Sequence, residues 1–267
     1  MIKLIALDLD NTLLEKDLTI AEKTLSLLRE CADRGITIVI ATGRLYYSAA
    51  KYAKQIGPST KVLCYNGCLV TEADGTPIFK AELTPDMMRR VADFAKARGL
   101  YSQFYLDHKI LVEKVTDGTT IDPDLANTEA LEVGDFDGYE FSPSPKAMIV
   151  AKPEDVPMYQ AQLQAELGEE TYIAQSQPYL IEIMPKGINK AQSLELLCGQ
   201  MGIKKEEVMA CGDNTNDAEM VIWAGTGVAV ANSVDSLKSV AEYVCKEERS
   251  YGVAEAIEKF CLPQEQE

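Results

Sequence analysis

Short apolar runs alternate, through the first eighty positions, with stretches in which apolar residues recur every three or four places. An apolar run of four to eight residues suits a buried strand, and recurrence at three and four suits a helix packed on one face. Residues 2–7, 36–41 and 62–65 read as three such strands. Between the first two, Thr19 and Glu22 form a T-x-x-E box ahead of Leu25, Leu28 and Ala32, which predicts a capped helix stopped by Gly35. Residues 46–56 predict a second helix. Alternation of this kind implies a parallel sheet with helices on its faces. Residues 69–71 and 77–80 then flank Asp74-Gly75, the signal of a hairpin.

From about residue 83 the rhythm changes. Thr84-Pro85-Asp86 predicts the start of a helix carrying Met88, Val91 and Ala95 and closed by Gly99. Residues 101–106 and 109–113 follow too closely for a helical crossover, so they should pair antiparallel. A second round comes at 147–151, a helix with Met158, Leu163 and Leu167, and strands at 171–175 and 179–184. After Pro185 the first rhythm resumes, with helices at 189–201, 217–223, 234–241 and 253–260 and strands at 208–211, 227–230 and 243–245. The simplest architecture is an α/β, Rossmann-like core of residues 1–82 and 186–267. An α+β domain of residues 83–185 interrupts it, and the chain crosses between the two at 80–84 and 184–187.

Composition narrows the function. The 267 residues carry 42 acidic and 26 basic side chains, a formal charge of −16, which argues against nucleic acid as a partner. No apolar run approaches the length of a membrane span. Seven scattered cysteines and a single histidine suit free thiols in a reducing cytoplasm better than disulfides or zinc.

Ligands of open parallel sheets bind beyond the carboxyl ends of the strands, and polar residues collect there. The first strand runs into Asp8-Leu9-Asp10-Asn11-Thr12 and the second into Thr42-Gly43-Arg44. The third ends at Asn66-Gly67, and a later one at Gly212-Asp213-Asn214-Thr215-Asn216-Asp217. Asp8 and Asp10, one residue apart in extended chain, share a face. With Asp213 they offer hard oxygen ligands suited to Mg²⁺. The bland alternative is that Asp8 and Asp10 only end a strand, but crowded carboxylates without a cation raise one another's pKa. A metal with a carboxylate left over suggests phosphoryl transfer through an acyl phosphate. Lys190 and Arg44 can offset the charge, and the Thr42 hydroxyl can donate to a phosphoryl oxygen. Taken alone, Lys190 reads as a solvated lysine at a helix start.

In order along the chain, Asp8-Leu9-Asp10-Asn11-Thr12-Leu13-Leu14, Ala41-Thr42-Gly43-Arg44, Gly187-Ile188-Asn189-Lys190 and the run from Gly212 to Asp217 resemble the four motifs of the haloacid dehalogenase superfamily. Tyr65-Asn66-Gly67, Gly227-Val228-Ala229-Val230-Ala231-Asn232 and Gly252-Val253-Ala254 resemble its Cof-type branch, which has a large α/β cap of the C2B type. The resemblance covers essentially the whole chain. It implies a phosphatase in which Asp8 is the nucleophile, Asp10 the general acid and base, and Thr42 and Lys190 phosphoryl ligands. Gly43, Arg44, Asn66 and Asn216 would join the phosphate side. Mg²⁺ would be held by Asp8, the Asp10 main-chain carbonyl and Asp213, with Asp217 and Asn214 supporting. The insert would be the cap that selects the substrate. Asn11 stands where glycine is most frequent, and asparagine tolerates positive φ better than most residues. Asn189 precedes the lysine and Ala191 follows it in place of glycine. Lys186 lies near, but its spacing from Gly187 does not fit the motif.

The expected substrate is a small phosphorylated metabolite, a sugar phosphate or a phosphorylated cofactor. A sugar phosphomutase of the same superfamily and a non-catalytic metabolite-binding protein are the alternatives; release of free phosphate separates them. His108 reads as a hairpin-turn residue, with substrate contact as the second choice. Residues 117–137 read as solvated helix and loop, Trp223 as core, and 262–267 as a polar tail. Oligomeric state is not legible.

Overall fold

The apolar run Leu4–Leu7 is buried at every position and forms β1 in the middle of an eight-stranded sheet. The computed structural model describes residues 1–106, 109–116 and 129–262. They divide into two units, Met1–Phe79 with Asn189–Glu267, and Lys80–Ile188.

In the first unit β1 lies between β2 (Thr37–Ala41) and β12 (Val208–Gly212), both parallel to it. Parallel pairing continues outward through β3 (Lys61–Cys64) on one side and through β13 (Thr226–Ala229) and β14 (Tyr243–Val244) on the other. Beyond β3 come β4 (Leu69–Thr71), antiparallel to it, and then β5 (Pro77–Lys80). Parallel strands buried on both faces need unbroken apolar sequence, and β1 and β12 have it. On one face Leu4, Ala6, Val39 and Ala210 pack with Leu194 and Leu197 of α5 (Lys190–Met201) and Met220 of α6 (Ala218–Trp223). Trp223, expected in the core, is only partly buried against this cluster. Helix α1 (Glu22–Asp33) packs on β2 and against α8 (Arg249–Phe260), and α2 (Tyr46–Ile56) on β3.

The T-x-x-E box is a correction. Ala21, not Thr19, precedes α1, and its side chain caps nothing. The Thr19 hydroxyl donates to Asp17 Oδ1 at 2.7 Å, while the Ala21 amide goes to Ser250 Oγ at 3.0 Å. A local Asx partner captured the threonine, and a residue 229 positions away supplied an acceptor.

The second unit is a six-stranded sheet in the order β10 (Thr171–Gln177), β11 (Leu180–Pro185), β9 (Ala147–Val150), β6 (Tyr101–Leu106), β7 (Lys109–Val112), β8 (Glu129–Glu132). Its pairings are antiparallel, as the short connection between β6 and β7 requires, except β7 with β8. Strand β8 corrects the reading of 117–137 as helix and loop. Its sequence, Glu-Ala-Leu-Glu, is exposed and lacks an apolar run, so only its partner strand reveals it. Residues 117–128, His108 and 263–267 lie outside the described residues. Helices α3 (Pro85–Ala97), capped by Thr84 as expected, and α4 (Val156–Leu167) share a cluster with Phe104, Ile149, Ile181 and Ile183. Met158 of α4 is exposed, against its expected place on the buried stripe. Alternation sends Gln103, Tyr105, Met148 and Glu182 to the opposite face of the sheet, where all four are buried. There Lys146 Nζ donates to Glu182 Oε1 at 3.0 Å and stands 4.4 Å from the centre of the Tyr105 ring.

Candidate active site

The register of the first sheet collects the polar strand ends. Leu7 lies opposite both Ile40 and Cys211. Asp8, Thr42 and Asp213 therefore leave three adjacent strands at one edge, and neighbouring strands are only about 4.8 Å apart. The ladder continues into the site, since the Asp8 amide still donates to Cys211 O at 3.0 Å.

Beyond Asp8 the chain makes one tight turn, Leu9–Leu13, in which Leu13 N–H donates back to Asp8 O and Leu14 N–H to Leu9 O. Asn11 adopts φ 60°, as the sequence suggested it could. The turn sends the Asp8 and Asp10 side chains to different partners. Asp8 Oδ1 accepts from Lys190 Nζ at 2.6 Å, whereas Asp10 takes both arms of Arg44, with Nε to Oδ2 at 2.8 Å. Arg44 also donates to Ser48 Oγ at 3.2 Å and is 8% exposed. Its guanidinium, expected on phosphate, is thus turned to Asp10.

Lys190 reaches Asp8 because of a second turn. Tyr65 and Asn66 both adopt positive φ, and Gly67 follows at φ 115°. A Cβ on Gly67 would lie 2.5 Å from the Asn189 carbonyl oxygen, so only glycine lets the start of α5 come this close. Ser193 Oγ donates to Gly67 O at 2.8 Å, and Asn189 caps α5 by accepting from the Gln192 amide. The lysine that follows is 1% exposed and bonds Asp8 and Asp217 at 2.6 Å each.

Asp217, expected in a supporting role, stands inside the acidic group. Carboxylate oxygens of Asp8, Asp213 and Asp217 lie within 4.8 Å of one another. Asp217 Oδ1 holds Lys190, and its Oδ2 accepts from the amides of Asp213 and Asn214. A Cβ on Gly212 would sit 2.4 Å from the Asp217 Cβ, so that glycine admits the carboxylate. Asp213 Oδ1 accepts from Thr12 Oγ1 at 3.0 Å, and Asn214 Oδ1 from the Thr215 amide at 2.8 Å. Asn216 Nδ2 donates to Asn66 Oδ1, which also lies 3.2 Å from where a Gly43 Cβ would stand. Thr42 Oγ1 accepts from the Arg44 amide, leaving its O–H to donate outward. Thr42, Gly43, Asn66 and Asn216 thus form the neutral side of the site.

Burial, followed by the proximity of Asp217, pushes Asp8 well above the usual carboxylate range against the pull of Lys190. The same two causes push Asp213 up to about 7. Burial pulls Lys190 down, but Asp217 and Asp8 outweigh it and hold its ammonium form firmly. Three buried carboxylates thus share one ammonium. Among the described residues no donor reaches Asp8 Oδ2 or Asp213 Oδ2. Two hard oxygens on an under-neutralised, buried cluster fit a divalent cation that keeps part of its water, as Mg²⁺ does.

A family profile described as haloacid dehalogenase-like hydrolase matches residues 5–257. The chain is 32% identical to the 5-amino-6-(5-phospho-D-ribitylamino)uracil phosphatase YitU of Bacillus subtilis, over 96% of this chain and 97% of that one. It is 28% identical to an HMP-PP phosphatase of Yersinia pestis, over 89% and 87%. Among solved structures, a haloacid dehalogenase-like hydrolase from Bacteroides thetaiotaomicron superposes with a TM-score of 0.87 at 29% identity, covering 97% of this chain and 99% of that one. No helix among the described residues is long and apolar enough to cross a membrane.

Proposed function

The chain belongs to the haloacid dehalogenase-like hydrolases, and from that premise we propose that it is a Mg²⁺-dependent phosphatase acting on a phosphate monoester of a small metabolite through an aspartyl phosphate on Asp8. The observation that carries the reading is the Asp8 carboxylate, one oxygen held by buried Lys190 and the other without a donor among the described residues. The Asp8 oxygen that the cation does not take attacks phosphorus as the ester P–O bond breaks. Asp10, protonated as the substrate binds and kept within reach by Arg44, gives that proton to the departing alkoxide. In the second step Asp10 takes a proton from water, the water oxygen bonds phosphorus, and the bond to Asp8 breaks.

The Thr42 hydroxyl, the Gly43 backbone and the Asn66 and Asn216 amides take the phosphoryl oxygens, with Lys190 at their edge. Such positioning and charge neutralisation supply most of the acceleration in phosphoryl transfer. Asp8, the Asp10 carbonyl and Asp213 would hold Mg²⁺, which supplies positive charge for the phosphoryl oxygens when bound. Asp217 keeps Lys190 and the Asp213 amide in place, and Asn214 shapes the turn between them. Arg44 serves the site by fixing Asp10. The inserted unit is the cap that selects the substrate, a sugar phosphate or a phosphorylated cofactor; the names of the relatives support a small-metabolite class. The free thiols support a cytoplasmic setting.

The test is phosphate release from a panel of sugar phosphates, flavin mononucleotide, pyridoxal phosphate and 4-nitrophenyl phosphate, with Mg²⁺ and beside Asp8→Asn. Release by the parent and none by the variant supports the reading. Equal rates overturn the mechanism, and isomerisation of a sugar phosphate without release overturns the reaction class.

A further inference from the structure

Asn11 is held in its left-handed conformation from the far end of the chain. Asn232 Nδ2 donates to the Asn11 carbonyl at 2.9 Å, and Arg249 Nη1 donates to Asn11 Oδ1 at 2.7 Å. Asn232 Oδ1 accepts the Arg249 amide at 2.8 Å, which closes the three residues into a ring. Arg249 bears two local costs. It too has a positive φ, 51°, uncommon for a residue with a Cβ, and its Nε is buried without a partner.

The start of α8 does not need the Arg249 side chain for its anchorage. The neighbouring Ser250 already ties it down: its Oγ accepts from the Ala21 amide, its carbonyl from Thr24 Oγ1, and its amide donates to Glu15 Oε1. The strain at Arg249 therefore serves Asn11, which adjoins Asp10 and lies in the turn that begins at Asp8. Both contacts on Asn11 oppose its relaxation, one through the carbonyl and one through the side chain. A turn pinned at this residue cannot rotate the peptide that follows Asp10.

We propose that Asn232 and Arg249 are positioning residues, which act through Asn11 to fix the turn Leu9–Leu13 and with it the aim of Asp8 and Asp10. Its consequence for rate rests on the phosphatase reading. A misplacement near 1 Å costs about 10²-fold in rate, so Arg249→Ala and Asn232→Ala should each lower kcat on 4-nitrophenyl phosphate by about 10- to 100-fold, with KM little changed.

A double substitution separates this role from simple support of α8. Glycine adopts φ 60° unaided and offers no Oδ1, so in an Asn11→Gly background Arg249→Ala should cost little further rate. An undiminished cost in that background overturns the proposal, because Arg249 would then act by another route. Amide hydrogen exchange across Leu9–Leu14 gives a readout that needs no turnover. It should quicken in Arg249→Ala while α8 keeps its protection, and unchanged exchange in that turn also overturns the proposal. A parent that hydrolyses nothing but shows the exchange effect would defeat the phosphatase reading and leave the positioning role standing.

Discussion

Each unit of the chain buries a lysine against carboxylate, and the two arrangements differ in charge balance. In the inserted unit Lys146 bonds Glu182, and both are buried. In the other unit Lys190 meets Asp8 and Asp217, with Asp213 alongside. The first joins its ammonium to Glu182 and to the face of the Tyr105 ring. The second leaves three carboxylates to one ammonium and stays electrostatically incomplete. A buried ion pair is weak evidence for stability, since apolar replacements of similar volume are often as good. An unbalanced cluster is a stronger pointer to chemistry, because a proton, a bound cation or a reacting group must relieve it.

The widest contrast should come from removing the carboxylate proposed as the nucleophile. Asp8→Asn is expected to cut phosphate release by about 10⁴- to 10⁶-fold, the usual loss for a missing nucleophile. Its melting temperature should hold or rise, because one member of a self-repelling cluster has become neutral. Lys190→Met and Lys146→Met should each lose about 3–5 kcal/mol in denaturant unfolding, having stranded a buried charge. Only the former should abolish turnover of 4-nitrophenyl phosphate; similar kinetic losses would dissolve the distinction between the two lysines.

Cation dependence sharpens the contrast at a smaller scale. Mg²⁺ at a hundred times its Kd should stabilise the parent by about 2.7 kcal/mol. That gain should vanish in Asp213→Asn and survive in Glu182→Gln. Without metal, Asp213 in the folded protein holds its proton up to about 7, above its ordinary value of 3.8. Between those values the folded state binds more protons than the unfolded one, so stability should fall as pH rises through that window. A melting series in chelator checks the slope, and Mg²⁺ should flatten it. The least effect should come from Lys146→Met with Glu182→Leu, which removes both charges together and should change stability by no more than about 1–2 kcal/mol.

Most of the first sheet was legible because its buried parallel strands require apolar runs that stand out in any window. Residues Asp8, Thr42 and Asp213 were legible as polar breaks at the ends of such runs, whereas Lys190, alone a solvated helix-start lysine, was legible only through the motif it belongs to. Partners set by register were not. Nothing local in Thr42-Gly43-Arg44 says that the arginine turns to Asp10, and Asp217 reads as a helix-start acid until Gly212 lets it press against the strand. Strand β8 failed for the opposite reason, since an exposed edge of four residues needs no apolar signal. The Lys146–Glu182 pair was hidden because Glu182 takes a polar alternate position in β11 and Lys146 stands just ahead of β9, where neither run of sequence announces burial. Asn232 carried a usable clue in the run that ends Gly227-Val228-Ala229-Val230-Ala231-Asn232. Arg249 had none.

The placing of β1 between β2 and β12 also governs when the protein can come into being. β1 leaves the ribosome with one neighbour nearby in sequence and the other some two hundred residues later. Between them the entire inserted unit is synthesised and free to fold on its own short-range pairings. The first strand meanwhile waits with one edge open, as does the acid that follows it. A nascent chain stalled before Val208 thus holds Asp8 without Asp213 or Asp217, and one stalled before Lys190 holds it without its ammonium. The acidic cluster is therefore complete only once Asp217 has been made.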